Sequence, residues 1–200
     1  MNVSRKPFVV VVSGPSGVGK STVVDRLLDR LENAHRSVSV TTRKPRGDEN
    51  DGDDYFFVSN EEFARRRDTG ELLEWAEVHG NLYGTPGVFV EAELERGVIV
   101  VLEIDVQGGM AVKEKLPDAV LIFLLPPTRG DLERRLRGRG TDENAVIERR
   151  LGNAGRELGF FSKYDYAVVN DTVGACVEDI VHIIHAESLR LERSSIDITC

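Results

Sequence analysis

The sequence predicts an α/β fold with a parallel central sheet and helices on both faces. Three observations predict it. Short apolar runs alternate along the chain with amphipathic helical patterns. The runs are rich in β-branched residues without polar alternation, which marks strands buried on both faces. The first run leads directly into a glycine-rich turn and then a helical pattern.

Residues 8–12, FVVVV, form the first expected strand. A helix follows over about residues 21–32, with Val23, Val24, Leu27, Leu28 and Leu31 on one face. Residues 98–105, VIVVLEID, give a second strand, and residues 119–125 a third that Pro126 and Pro127 stop. Residues 166–169 make a short fourth. The last helix is expected from near Thr172, with Val173, Val177, Ile180 and Ile184 as its apolar stripe.

Between residues 37 and 85 the rhythm changes. SVSVT, DYFFV and ELLEWAEV alternate with period two, which suits small, half-exposed strands. Ser59 and Glu62 form a capping-box pattern for a short helix among them. The stretch is an expected mostly-β insertion. RGRGTDEN, residues 137–144, suggests a mobile loop between two helices. The closing SSIDITC is expected as a frayed tail. One domain results, with its core at about 6–36, 86–127 and 156–195. The insertion lies at 37–85, a lid at 128–155 and the tail at 195–200.

The 200 residues suffice to bury a core without staples. Lys plus Arg number 26 and Asp plus Glu 34, a formal charge of -8, which argues against nucleic-acid partners. Cys176 and Cys200 make no disulfide framework and suggest a reducing compartment. Apolar runs fall short of the ~18 residues of a membrane span, and the N-terminal apolar stretch is short for a secretion signal. A cytoplasmic protein without membrane or nucleic-acid partners is expected.

Gly14-Pro15-Ser16-Gly17-Val18-Gly19-Lys20-Ser21 fits G-x-x-x-x-G-K-[ST] in full, and Thr22 beside it is a further expected ATP-binding residue. Glycines let successive N–H groups point inward as an anion nest, and the helix N-terminus adds its dipole. Lys20 brings a charge to the β- and γ-phosphates of a nucleotide such as ATP, and the Ser21 hydroxyl can join a Mg²⁺ shell. The strand at 98–105 ends in Glu103 and Asp105. A carboxylate at such a strand end can hold Mg²⁺, largely through water; Asp105 is the expected one.

From Arg129 to Arg156 stand eight arginines and no lysine. Arginine favours bidentate contact with phosphate or carboxylate. Part of the set has acidic neighbours for surface pairing. Arg139, flanked by glycines, sits where a lid arginine would sit. A second pair, Arg43 and Arg46, brackets Lys44-Pro45 ahead of Tyr55; two arginines and a phenol could hold a second phosphate.

SGPSGVGKST, SVSVTTRKPR, DYFFV, LLEWAEVHGNLYGT, VLEIDVQG and RLRGRG, in this order over about residues 7–190, resemble the guanylate kinase family. The resemblance implies a three-layer P-loop nucleoside monophosphate kinase fold with core, GMP-binding and lid parts. It implies the reaction ATP + GMP ⇌ ADP + GDP with Mg²⁺. Ser39, Arg43, Arg46 and Tyr55 would hold the GMP phosphate or its surroundings, with Tyr83 in a phosphate-binding position. Glu74 and Thr85 fall in guanine-reading positions. Glu103 and Asp105 also belong to the GMP side. Arg135, Arg139 and Arg150 match core and lid arginines that join Lys20 and Arg43 in catalysis, and Asn170 faces the ATP side. Monomer and small homo-oligomer both stay open.

The chemistry suits this independently. Guanine offers two adjacent donors, N1–H and N2–H₂, and one carboxylate can accept both. Adenine lacks the pair and would leave a buried Glu74 unmatched. Hydroxyls on Ser39 and Thr85 can donate to guanine O6, where adenine carries an amino group. The acceptor is an anionic phosphate oxygen, so none of His35, His79, His182 and His185 is needed as a base.

One departure stands out. The family pattern R-x-P-R-x-G-E appears as Arg43-Lys44-Pro45-Arg46-Gly47-Asp48-Glu49, with glycine one place early. A slightly altered loop is expected. Two other readings remain open: a P-loop kinase of another small acceptor such as a ribose bisphosphate, and a non-catalytic binding module like those of scaffold proteins. Glu74 and the TTRKPR block disfavour the first. The intact Lys20, Ser21 and Asp105 disfavour the second.

Overall fold

The computed structural model describes residues 2–78, 80–137 and 144–197. The chain opens with β1 (Asn2–Arg5) and β2 (Val9–Ser13), turns into α1 (Lys20–Leu28) and returns as β3 (Ala34–Arg36). The insertion follows as β4 (Val40–Thr41), β5 (Phe56–Phe57), α2 (Asn60–Asp68), β6 (Leu72–Val78) and β7 (Asn81–Pro86). The core resumes with α3 (Gly87–Glu95), β8 (Ile99–Glu103), α4 (Val106–Lys115) and β9 (Val120–Leu125). Last come α5 (Arg129–Arg137), α6 (Asn144–Leu158), β10 (Tyr166–Val169), α7 (Val173–Ser188) and β11 (Ser194–Asp197).

Five strands make one parallel sheet in the order β10-β9-β2-β8-β3. β2 lies at its centre because every one of its residues is buried. Its side chains alternate between two apolar layers. Val10 and Val12 pack with Val23, Val24 and Leu27 of α1 and with Cys176, Val177, Ile180 and Ile184 of α7. Val9 and Val11 pack on the other face with Val90 of α3 and Val112 of α4. Each such valine contributes about 1.5–2 kcal/mol by burial. The parallel register brings the carboxyl ends of β2, β8, β9 and β10 to one edge, where open α/β sheets bind ligands.

The insertion is a second sheet, β5-β4-β7-β6, with β6 and β7 antiparallel. Val40, Phe63 and Leu72 form its small core. The Ser59 hydroxyl accepts the Glu62 N–H at 3.2 Å and so caps α2. The Glu62 carboxylate is engaged by Arg65 and Arg66.

Several boundaries differ from the sequence expectation. α1 stops at Leu28, where Arg30 and Leu31 donate to the carbonyls three residues back; Leu31 still packs on the core. SVSVT narrows to Val40–Thr41, since Ser37 N–H still bonds Val101 O of the core sheet. β8 gives up Ile104 and Asp105 to the cap of α4. The expected tail is corrected over its first residues: Ser194–Asp197 pairs antiparallel with Asn2–Arg5. Ser4, Arg5 and Ser195 of this ribbon are exposed, so these residues give no hydrophobic signal to announce it. Residues 198–200 lie outside the described residues.

Candidate active site

The phosphate loop joins β2 to α1 at the carboxyl edge of the sheet. Gly17 (φ 87°) and Gly19 (φ 100°) take a left-handed backbone that side chains resist. A Cβ on Gly17 would stand 2.6 Å from Leu136 Cδ2, so α5 seats directly on the loop. Val18 N–H closes a turn onto Pro15 O at 3.1 Å. Lys20 Nζ folds back over the loop, donating to Gly14 O at 2.7 Å and Pro15 O at 3.4 Å. Ser16 N–H donates to Glu157 Oε2 of α6 at 3.1 Å. Pro15 is buried, and Thr22 is exposed on the first turn of α1.

Two predicted residues brace the loop from behind. Arg135 donates to Val18 O at 3.0 Å and to Asn170 O at 2.8 Å. The buried Asn170 amide donates to the same Val18 O at 2.8 Å. The buried Oδ1 of Asn170 has no hydrogen-bond partner among the described residues. Arg139 lies outside the described residues. Arg150 lies on the described backbone of α6, with its side chain outside the description. Other arginines of this stretch pair locally, Arg134 with Asp131 and Arg137 with Glu133.

Ser21 and Glu103 are brought together: Ser21 Oγ donates to Glu103 Oε1 at 2.6 Å. Arg36 stands 4.0 Å from the other Glu103 oxygen and also pairs with Asp25. Asp105 is differently employed, because its Oδ1 accepts Gly108 N–H at 2.8 Å and caps α4. Ser13 Oγ donates to the carbonyls of Ile104 and Asp105 at 2.9 and 3.1 Å, tying the loop's root to this turn. A hydroxyl beside a carboxylate is a hard-oxygen set that fits Mg²⁺. No group of three or more His, Cys, Asp or Glu that could hold a metal occurs among the described residues, so phosphate oxygens and water would supply the rest.

The insertion presents a second polar cluster. Arg43 is only 7% exposed. Its guanidinium donates to both Glu49 carboxylate oxygens, to Lys44 O and, through Nε, to Tyr83 Oη at 3.2 Å. It also lies over the Tyr55 ring at 5.2 Å. Tyr55 meets Tyr83 edge-on at 5.9 Å. Burial raises the Tyr55 phenol above its ordinary pKa, and the charge of Glu103 adds to that. Arg46 is exposed, with its N–H held by Glu49 at 2.8 Å. Ser39 is half-buried, its carbonyl accepting Phe56 N–H. The loop turns at Gly47 itself (φ 52°), and Glu49 N–H reaches back to Arg46 O. The positive φ of this loop thus falls on its glycine.

Glu74 and Thr85 face each other across β6 and β7. The Thr85 hydroxyl donates to Glu74 Oε1 at 2.6 Å, so in this state its proton serves Glu74. Glu74 is 4% exposed. Burial pushes its carboxyl up to about 7; the bond from Thr85 opposes this and the charge of Asp105 adds to it. Sequence reasoning missed the parts played by Glu157, Ser13 and Gly108, whose signals are long-range partners rather than motif letters; Glu49 was read only as a letter of the loop motif, not as the partner of Arg43.

Fold and site together define a P-loop protein with nucleotide-kinase architecture. The guanylate kinase family model matches residues 5–187. A guanylate kinase of Enterococcus faecalis is 50% identical, with 96% of this chain and 94% of the relative covered. One from Caldanaerobacter subterraneus subsp. tengcongensis is 46% identical over 97% of this chain and 94% of the relative. The crystal structure of guanylate kinase from Anaplasma phagocytophilum superposes with a TM-score of 0.83 at 36% identity, covering 96% of this chain and 92% of that one. The chain belongs to the guanylate kinase family.

Proposed function

We propose that this chain transfers the γ-phosphoryl group of ATP to GMP, and to dGMP, giving the nucleoside diphosphates. The carrying observation is the buried Glu74 carboxylate, bonded to Thr85 on one side and abutting α4 on the other. A carboxylate so enclosed costs energy until two adjacent donors meet it, and guanine N1–H and N2–H₂ are such donors. A ribose bisphosphate has no such edge, and a peptide-binding module has no use for an intact phosphate loop.

In this reading Gly14 to Thr22 cradle the ATP phosphates, with Lys20 leaving its loop carbonyls for the β- and γ-oxygens. The unpartnered Asn170 Oδ1 supports a donor-side role for that residue. Arg43, Arg46, Tyr55 and Tyr83 take the GMP phosphate, with Ser39 beside the base. Arg135, Arg139 and Arg150 balance charge on the moving phosphoryl group. Ser21 and Glu103, with Asp105 through water, would hold Mg²⁺, which neutralises charge on the β- and γ-phosphates. Closure of the lid over the acceptor part excludes water.

No helix among the described residues is long and apolar enough to cross a membrane. Cys176 is a buried free thiol, which supports a reducing cytoplasm.

An ATP–Mg²⁺ assay across GMP, dGMP, AMP, UMP, CMP and a ribose bisphosphate tests the proposal. Turnover confined to the guanine nucleotides is expected. Equal turnover of AMP, or no turnover, overturns it.

A further inference from the structure

Gly108 lies in the first turn of α4, and its N–H is held by Asp105 Oδ1. Its backbone has no left-handed φ, so the conformation does not demand glycine. Alanine would be the better helix former at this position. The reason for glycine is on the other side. A Cβ built there stands 2.8 Å from Glu74 Oε2, 3.2 Å from Glu74 Cδ and 3.3 Å from Ile104 Cδ1. The Glu74 carboxylate cannot retreat along β6, because Thr85 holds Oε1 at 2.6 Å. It is pinched between a hydroxyl and the bare backbone of α4.

We infer that Gly108 is a specificity-determining residue for the acceptor base: its missing side chain is the seat of the Glu74 carboxylate. A methyl group there turns the carboxylate out of the plane in which it accepts two adjacent N–H donors. Gly108 acts through Glu74 and is a positioning residue rather than a catalytic one. The inference rests on the proposed guanine-reading role of Glu74.

The test is Gly108→Ala, assayed beside Glu74→Gln and Glu74→Asp. Gly108→Ala is expected to raise KM for GMP by about 10-fold or more while leaving KM for ATP within about 2-fold. A purely structural role would move both constants or the melting temperature. Glu74→Asp withdraws the carboxylate by one methylene, so the added methyl then meets only the flexible end of Ile104. The double variant is therefore expected to match Glu74→Asp alone, a non-multiplicative pair. If Gly108→Ala fails to fold, this comparison of double with single variant still decides.

If the two losses multiply, or if Gly108→Ala leaves KM for GMP unchanged while Glu74→Gln raises it, this inference is overturned by itself. If Glu74→Gln leaves the GMP-to-AMP preference unchanged, the guanine-reading role falls and this inference falls with it.

Discussion

Arg43 and Glu49 meet in a two-bond fork, with guanidinium nitrogens 2.9 and 2.8 Å from the two carboxylate oxygens. Glu49 accepts Arg46 N–H as well, so one carboxylate holds both arginines of the loop. It stands beside Arg43 where the proposed function requires a nucleotide phosphate.

Glu49→Ala is expected to cost about 2 kcal/mol, because it leaves a buried guanidinium short of its charged acceptor. The bond from Arg43 holds the Glu49 carboxyl below the usual carboxylate range. A depressed folded-state pKa stabilises above the unfolded value and stops doing so as pH falls through the folded one. Urea melts should show the gap between wild type and variant full at pH 7 and shrinking at acid pH. A gap independent of pH would refute the linkage.

Glu74 carries the opposite sign. Its carboxyl is raised from 4.5 to about 7, so ionising it in the folded state is unfavourable. That difference corresponds to roughly 3 kcal/mol. Stability is lost as pH rises from the ordinary carboxylate range to about 7. Glu74→Gln should therefore melt higher than wild type at pH 8, with a smaller advantage at pH 5. GMP affinity of the wild type should rise between pH 6 and 8 as the carboxylate forms. The variant shares the titration of the GMP phosphate and isolates that contribution. Parallel pH profiles for the two proteins would contradict the prediction.

Lys20→Ala removes a cation that now bonds two loop carbonyls. Turnover should fall at least about 100-fold, with circular dichroism and melting temperature close to wild type. Near-normal kcat would remove Lys20 from the mechanism.

Arg135→Met removes two charge-assisted bonds, to Val18 O and Asn170 O. Asn170 still holds Val18 O, so the loop loosens rather than collapses. KM for ATP should rise about 10-fold and kcat should fall, with KM for GMP little changed. A rise confined to KM for GMP would place Arg135 elsewhere.

The core was legible because its central strands are buried on both faces and read as unbroken apolar runs: Val9–Ser13 and Val120–Leu125 lie within a residue of expectation. The edge strand Tyr166–Val169 was legible from its apolar letters alone, since its Ala167 and Val169 are exposed. The short edge strand Ala34–Arg36 was not, since its exposed His35 and half-buried Arg36 carry no apolar pattern. Asn81–Pro86 was missed because its Gly84 resembles a turn. That glycine is needed where a Cβ would stand 2.8 Å from Leu72 Cδ1. The phosphate loop was legible because its chemistry is local. Glu157 lies 141 residues from the Ser16 amide it accepts, and Gly108 lies 34 positions beyond the carboxylate it accommodates. Spacing along a chain does not encode partners at that distance.

The ribbon of Asn2–Arg5 with Ser194–Asp197 has a mechanical consequence. Asn2 pairs with Asp197 at one end and Arg5 with Ser194 at the other. A load pulling residues 2 and 197 apart meets these pairs one after another, as a zipper, and not all at once in shear. The next link inward is Lys6 N–H to Arg193 O. All of this lies at the edge of the sheet where β2 begins, away from the phosphate loop where it ends. Under tension the molecule would yield first at the place its chemistry needs least.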